Sequence, residues 1–217
     1  MEKYTQKAYW DSVAAEKNFT LRPDFHLLKT SIGKEAFIVD YGCGYGRTLD
    51  ELYQAGYRNT LGLDFSGGMV ARGHKSFPHL NLQIVASAHT NLRDSSVDMM
   101  LLFALLTCIT EDNQQQVIME EVKRVLKPGG VVYVMDFLIN NDDRNKKRYA
   151  ANTGKYGVYG IFDLPEGATL RHHDESYVKR LMKDYAITHF EKTVNKTMNG
   201  HVSNGFVMMA QKKRGCN

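Results

Sequence analysis

Three glycines and two carboxylates stand at a spacing that could bind a nucleoside. A short apolar run ends at Asp40, and Gly42, Gly44 and Gly46 follow it at alternate positions. Glycines there allow a sharp turn and a close approach of a ligand to the backbone, because no side chain blocks either. A second apolar run ends at Asp64, near the distance at which doubly wound folds place a ribose-binding acid. The pattern predicts a site for a nucleoside-containing cofactor.

Arg171, His172 and His173 form a second set of side chains that could take part in chemistry. An arginine can clamp an anionic substrate group, and either histidine could accept a proton near neutral pH. We therefore take these three residues as the candidate catalytic or substrate-binding residues. The alternative is that the histidine pair faces solvent. No third ligand stands at a recognisable spacing, so no metal site is predicted.

Strands and helices that alternate along the chain would position these residues. This alternation predicts an α/β fold with a doubly wound, mostly parallel sheet and helices on both faces. Thr110 is the expected N-cap of the third helix, which Lys127-Pro-Gly-Gly130 should end. Strands are predicted near residues 36–40, 60–64, 82–86, 97–103 and 130–137, and helices near 47–55, 66–76 and 111–126.

The pattern changes in the C-terminal third of the chain. Residues 140–173 are polar, aromatic and glycine-bearing, and this segment is too long for a plain connection, so it is predicted to be a substrate lid. A helix is predicted near 174–183. Two β-rich runs, near 185–194 and 204–211, flank the turn signal Asn199-Gly200 and predict an antiparallel hairpin at one side of the sheet.

Length and composition limit the class of protein. With 217 residues and 43% hydrophobic content, the chain can bury one core, which predicts a single domain over residues 1–217. The net charge of +4 lacks the strongly basic footprint of a nucleic-acid binder, and the apolar run 99–106 is too short to cross a bilayer. Three widely spaced cysteines (Cys43, Cys108 and Cys216) and an N-terminus without an apolar signal core indicate a reducing, cytoplasmic location.

The glycine spacing discriminates between cofactors. A nicotinamide-dinucleotide fingerprint, G-x-G-x-x-G, fails by one residue, because the chain reads G-x-G-x-G with Arg47 next. With its surroundings, this segment resembles motif I of the class I S-adenosylmethionine-dependent methyltransferases. The resemblance continues through Asp64, through the run from Asp98 to Phe103, and through the Leu-Lys-Pro-Gly-Gly turn that ends at Gly130. It covers residues 35–137.

This resemblance implies S-adenosylmethionine as the cofactor and a seven-stranded sheet with a reversed last strand. It implies that Asp40 orients the methionine end of the cofactor and that Asp64 binds two ribose hydroxyls, with helix capping beside Ser66 as the rival role for Asp64. Ser87-Ala88 aligns with the adenine-binding position, where a serine hydroxyl lacks the charge of the more usual acid. The residues implied to bind the cofactor are Asp40, Gly42, Cys43, Gly44, Gly46, Asp64, Phe65, Ser87, Ala88 and Phe103.

In the same family, the segment before the first strand often covers the cofactor. Residues 1–30 are therefore expected to form an N-terminal cap, in which Tyr4, Tyr9 and Trp10 could face the sulfonium. Ordinary packing of these aromatic residues is an equal alternative. Core packing is also the expected role of Cys43 and Cys108, since neither has a neighbouring base in the sequence.

The function implied by the resemblance is methyl transfer from S-adenosylmethionine to a small-molecule acceptor, by in-line displacement with catalysis mainly by positioning. Thr107-Cys108 replaces the Glu-His of some family members, which removes one general base. The expected partners are a small acceptor and at most a second copy of the chain, with neither nucleic acid nor membrane. Two alternatives remain: a non-catalytic partner subunit that binds the cofactor and, less favoured, a nicotinamide-dependent oxidoreductase.

Overall fold

A seven-stranded sheet forms the centre of the computed structural model, which describes residues 5–213. The strand order is β3-β2-β1-β4-β5-β9-β8, in which the first five strands are parallel and β9 runs antiparallel to both neighbours. The predicted doubly wound sheet with a reversed last strand is confirmed. Its strands are β1 (Ile38–Tyr41), β2 (Thr60–Asp64), β3 (Leu82–Ile84), β4 (Val97–Phe103), β5 (Leu126–Phe137), β8 (Tyr185–Lys196) and β9 (Val202–Lys212).

Seven α-helices accompany these strands within the described residues. They are α1 (Thr5–Ser12), α2 (Phe25–Ser31), α3 (Arg47–Gln54), α4 (Gly67–Ser76), α5 (Asp112–Val125), α6 (Asp143–Tyr156) and α7 (Glu175–Leu181). The predicted N-cap of α5 is wrong by one residue, since Glu111 and not Thr110 takes that position. The Glu111 side chain makes no capping hydrogen bond, so α5 begins without the hydroxyl cap that the sequence predicts.

Hydrophobic cores lie on both faces of the sheet. Neighbouring residues along a strand point to opposite faces, and Val39 accordingly packs in one core with Val122 of α5, whereas Ile38 packs in the other with Leu49 of α3. All four residues of β1 are buried, as expected for a central parallel strand covered by helices on both sides. These two cores fix the strands, and the residues of the candidate site lie at the ends of those strands.

The strand order reverses direction on either side of β1. The chain leaves β1 toward β2 on one side, while β4 pairs with β1 on the other. Ligands of doubly wound sheets bind in the crevice at the carboxyl ends of the strands at such a point. Asp40 stands near the end of β1 and Asp64 ends β2, so both acids lie at this crevice.

The predicted lid, residues 140–173, contains regular structure that the sequence did not reveal. It holds α6 and a separate two-stranded antiparallel sheet, β6 (Ile161–Asp163) with β7 (Thr169–Arg171). The side chain of Asp142 caps α6 by accepting a hydrogen bond from the Asn145 amide at 3.1 Å, and Gly157 ends the helix at a φ of 70°.

Candidate functional site

The loop after β1 is built to bring backbone close to a ligand. Gly42, Gly44 and Gly46 all have positive φ, at 84°, 55° and 83°, a region that disfavours side chains. A Cβ atom on Gly42 would lie 2.8 Å from Leu105 Cδ1, and one on Gly44 would lie 2.3 Å from Phe19 Cε2. The backbone angle therefore favours glycine at all three positions, and a side chain at Gly42 or Gly44 would also have to displace a neighbouring side chain.

Asp64 is fixed against this loop. Its Oδ2 accepts a hydrogen bond from the Gly44 amide at 2.8 Å, and its Oδ1 accepts one from the Ser66 amide at 2.8 Å. Ser66 itself caps α4 through a bond from the Met69 amide, so the capping role does not fall to Asp64. Each carboxylate oxygen keeps a further lone pair, and Asp64 lines the cavity described below. The two amides thus orient a carboxylate that can still accept hydrogen bonds from hydroxyl groups.

Asp40 is buried beside Asp64, at 2% exposure, and lines the same cavity. No group among residues 5–213 donates a hydrogen bond to its carboxylate. Burial, together with repulsion from Asp64, raises the pKa of Asp40 to about 7, although Arg47 opposes the shift. A buried acid without a donor is poised to receive a cationic or hydrogen-bonding group from a ligand.

The N-terminal segment covers this end of the crevice. Asp11 of α1 accepts hydrogen bonds from the Ser66 hydroxyl at 2.7 Å and from the Gly68 amide at 3.0 Å, which fixes α1 to the start of α4. Trp10 and Phe19 line the cavity and pack edge to face, with ring centroids 5.9 Å apart. Tyr9 is buried in the same aromatic cluster without lining the cavity, and Tyr4 lies outside the described residues.

One cavity of about 540 Å³ extends from the two acids to the lid. One end of the cavity includes Asp40, Asp64, Phe65 and the glycine loop, and the far end includes Phe137, Phe162 and His172. Most of the lining surface is apolar. Cys43 and Cys108 also contribute to the lining, and burial raises the pKa of both thiols, so both are neutral and fit the predicted packing role.

Three distant segments meet above this cavity. The Lys17 ammonium lies 3.1 Å from Glu166 Oε1 and 2.8 Å from Asn199 Oδ1, and the Asn199 amide donates to Glu166 at 2.8 Å. These residues belong to the N-terminal segment, to the β6–β7 hairpin loop and to the turn between β8 and β9. We call this triad the latch, because it joins the three segments that roof the cavity.

His172 is the candidate histidine that reaches the cavity. Its Nδ1 lies 2.6 Å from the Tyr149 hydroxyl and 3.0 Å from Asn140 Nδ2. An amide nitrogen can only donate, so the contact with Asn140 favours Nδ1 as the acceptor and Nε2 as the protonated nitrogen. Burial, with a smaller effect from Arg148, lowers the pKa of His172 well below its usual range. The ring is neutral and offers an N–H to the cavity.

The structure places Arg171 and His173 outside the cavity lining. The Arg171 guanidinium donates to the Thr110 carbonyl at 2.9 Å and pairs with Asp112 at 2.5 Å, and it stacks on Tyr177. These contacts tie the lid to the start of α5, and they contradict the predicted role of Arg171 as a substrate clamp.

His173 is also a structural residue. It is 1% exposed, and its Nε2 lies 2.9 Å from Gln115 Nε2. Burial and the charge of Arg171 lower its pKa to about 3, so it is neutral at physiological pH. The candidate histidine pair is therefore divided, with only one member at the cavity.

Ser87 and Ala88, implied to bind adenine, do not line the cavity. Ser87 is exposed and its hydroxyl donates to the His89 carbonyl at 3.2 Å, while the Ala88 carbonyl accepts from the Tyr41 hydroxyl. The remaining residues implied to bind the cofactor are Gly46 and Phe103, of which Phe103 lines the cavity. Gly46 does not line the cavity and is the N-cap residue of α3.

Sequence reasoning missed several residues at the far end of the cavity. Arg144 and Arg148 of α6 line it. The turn between β8 and β9 contributes Met198 and His201. The sequence signal for the two arginines is the basic run 144–148, a pattern that is also typical of a solvated surface segment. Among residues 5–213, no group of His, Cys, Asp or Glu side chains could hold a metal ion.

Comparisons with known proteins agree with this geometry. Residues 39–134 match the family described as "Methyltransferase domain". A curated protein of Mycolicibacterium smegmatis, whose name begins "Probable S-adenosylmethionine-dependent methyltransferase", is 29% identical over 107 residues. That match covers 49% of this chain and 38% of the relative, so the chain spans well under two thirds of the curated protein it matches.

Solved structures are similar over more of the chain. The crystal structure of an S-adenosylmethionine-dependent methyltransferase from Methanosarcina mazei has 26% identity and a TM-score of 0.81, covering 87% of this chain and 97% of that one. A second such methyltransferase, from Mesorhizobium loti, has 19% identity and a TM-score of 0.65 over 87% of this chain and 97% of that one, which shows a shared fold. No helix within residues 5–213 is long and apolar enough to cross a membrane. The chain is thus similar to S-adenosylmethionine-dependent methyltransferases in sequence over residues 39–134 and in fold over most of its length.

Proposed function

We propose that this protein transfers a methyl group from S-adenosylmethionine to a small-molecule acceptor. The observation that carries the proposal is a continuous cavity that joins the acids and glycine loop at one end to the aromatic lid at the other. Two ligands that occupied the two ends would share one chamber. Alignment of two reactants in this way is a large source of rate enhancement.

The residues at the cofactor end fit a nucleoside with a charged amino-acid arm. Asp64, held by two backbone amides, would accept the two ribose hydroxyls, and Asp40, which lacks a donor, would accept the ammonium of the methionine arm. Because the glycine loop has no side chains at these positions, the methionine arm could lie against the backbone of the loop. When bound, S-adenosylmethionine supplies a methyl group attached to a positively charged sulfur.

The far end of the cavity would exclude water and orient the acceptor. Phe137 and Phe162 flank the ring of His172, with centroids 5.6 Å and 4.9 Å from it. Because charge is neutralised when a nucleophile meets a sulfonium, an apolar pocket favours the transfer. His172 would act as a hydrogen-bond donor through Nε2–H, because its Nδ1 is already occupied and its lowered pKa makes it a poor base.

The roof and the size of the cavity favour a small acceptor over a macromolecule. A volume of about 540 Å³ lies within the range of about 300–1,000 Å³ that is usual for small-molecule sites. The latch of Lys17, Glu166 and Asn199 ties three segments together beside the cavity, which favours a small molecule over a protein or nucleic-acid chain. We therefore propose a metabolite-sized acceptor.

The test combines binding and turnover. S-adenosylhomocysteine should bind with micromolar affinity by calorimetry, and Asp64→Ala should weaken binding at least tenfold, whereas Asp184→Ala, outside the cavity, should not. A panel of small acceptors with methyl-labelled S-adenosylmethionine should give labelled product. No heat with either S-adenosyl ligand would refute the proposal. Binding without product from any acceptor would favour a non-catalytic partner subunit instead.

A further inference from the structure

We propose that the acceptor carries an oxyanion, a carboxylate or a phosphate, which the guanidinium of Arg148 binds with support from Arg144. This inference rests on the proposed function, because it identifies the class of molecule that enters the far end of the same cavity. Arginine suits such groups because its planar fork donates two parallel hydrogen bonds to a carboxylate or phosphate.

Among the arginines that line the cavity, only Arg47 has a carboxylate partner within residues 5–213. Arg47 donates to Glu51 at 2.8 Å and to the Leu21 carbonyl. Within residues 5–213, no carboxylate lies within 4.0 Å of the guanidinium of Arg144 or Arg148. Two positive charges thus face the far end of the cavity without an ion pair, and the charge of Asp142 acts on them only at longer range.

Arg148 is held in place although it lacks an acidic partner. Its guanidinium lies over the ring of Phe162, with the central carbon 3.4 Å from the ring centroid. Its Nε is buried and has no hydrogen-bond partner. Burial is the main reason that the pKa of Arg148 is lowered, with a contribution from the neighbouring Arg144. A half-buried cation without a counter-ion is unfavourable by itself, and an oxyanion bound by its terminal nitrogens would neutralise it.

The acids in the same lid walls are already neutralised by other partners. Asp163 accepts from Lys155 at 2.7 Å, from the Tyr156 hydroxyl at 2.6 Å and from Thr169 at 2.7 Å. Glu166 is occupied by the latch. The lid therefore presents uncompensated positive charge to the cavity, while the unpaired Asp40 at the opposite end presents an acid. This layout separates a cation-binding end from an anion-binding end.

The experiment uses the full chain saturated with S-adenosylhomocysteine and three probes. Benzoate, phenyl phosphate and the neutral benzamide are titrated by calorimetry into the wild type, Arg148→Gln, Arg148→Lys and Lys147→Gln. Lys147 is the matched control, because it removes one positive charge from the same helix at an exposed position outside the cavity. The two anions distinguish a carboxylate from a phosphate.

We expect at least one anion to bind the wild type tenfold or more tightly than benzamide. Arg148→Gln should abolish this preference, Arg148→Lys should keep part of it, and Lys147→Gln should keep all of it. Equal affinity for the anions and benzamide would overturn the inference. So would a tenfold loss of S-adenosylhomocysteine affinity in folded Arg148→Gln, which would mean that the guanidinium holds the cofactor's own carboxylate. Failure of the wild type to bind S-adenosylhomocysteine would instead overturn the proposed function.

Discussion

Replacement of Asp40 by asparagine should stabilise the ligand-free protein while it weakens the cofactor site. The carboxylate is fully buried, accepts no hydrogen bond from residues 5–213, and has its pKa raised from 3.8 to about 7. Because the folded pKa lies above the unfolded one, folding takes up a proton between about pH 4 and 7. The ionised form therefore destabilises the fold, and this penalty grows as the pH rises and is fully present above pH 7.

The size of the effect follows from the shift in pKa. Each unit corresponds to about 1.4 kcal/mol, so ionisation of Asp40 should cost about 4 kcal/mol at pH 8 and about 2 kcal/mol at pH 5. Asparagine has nearly the same shape and no charge. The unfolding free energy of Asp40→Asn should therefore exceed that of the wild type at both pH values, and this difference should grow by about 2–3 kcal/mol from pH 5 to pH 8. Asp136, whose pKa burial also raises to about 7, is unchanged in both proteins and cancels in the comparison.

The assay is chemical denaturation of both proteins at pH 5, 6, 7 and 8 without ligand. Glu120→Gln provides the control, because this exposed acid on α5 is solvated in the folded and unfolded states alike. Its difference from the wild type should not change with pH. If the stability difference of Asp40→Asn is also independent of pH, Asp40 is not a strained acid and its proposed readiness for a cation is wrong.

Three further predictions follow from the site. The dissociation constant of S-adenosylhomocysteine should be about tenfold higher at pH 6 than at pH 8, because protonation of Asp40 removes its attraction for the ammonium, and Asp40→Asn should flatten this profile in calorimetry. Glu166→Ala, which removes two contacts of the latch, should speed S-adenosylhomocysteine release severalfold in stopped-flow measurements, whereas Glu16→Ala at an exposed position should not; equal rates would contradict the role of the latch. His172→Phe should lower acceptor turnover in single-turnover assays and leave S-adenosylhomocysteine affinity within about twofold, and parallel loss of both would contradict its place at the acceptor end.

The glycine loop and the acid beside it could be predicted from the sequence because their signals are local. A strand, a turn and a helix follow one another within a few residues around Gly42 and Gly44, and the positive φ of these glycines is a property of the turn itself. Asp64 could be placed because the ends of neighbouring parallel strands meet at one edge of the sheet. Ser87 was placed by alignment alone, and its hydroxyl turns to a neighbouring carbonyl rather than to the cavity.

The acceptor end could not be predicted, since it depends on contacts between distant segments. Arg171, His172 and His173 are adjacent along an extended chain, so the side chain of the middle residue points to the opposite side from the other two. The sequence alone does not tell which side faces the cavity, and the structure places His172 there. The position of the Arg148 guanidinium depends on its packing against Phe162, and no local sequence pattern reveals that contact.

The most direct test is a crystal structure of the protein with S-adenosylhomocysteine. We expect both ribose hydroxyls within hydrogen-bond distance of the Asp64 carboxylate, the ammonium at Asp40, and the sulfur facing Phe137, Phe162 and His172 across the cavity. A nucleoside bound elsewhere, or a sulfur that points away from the lid, would contradict the account.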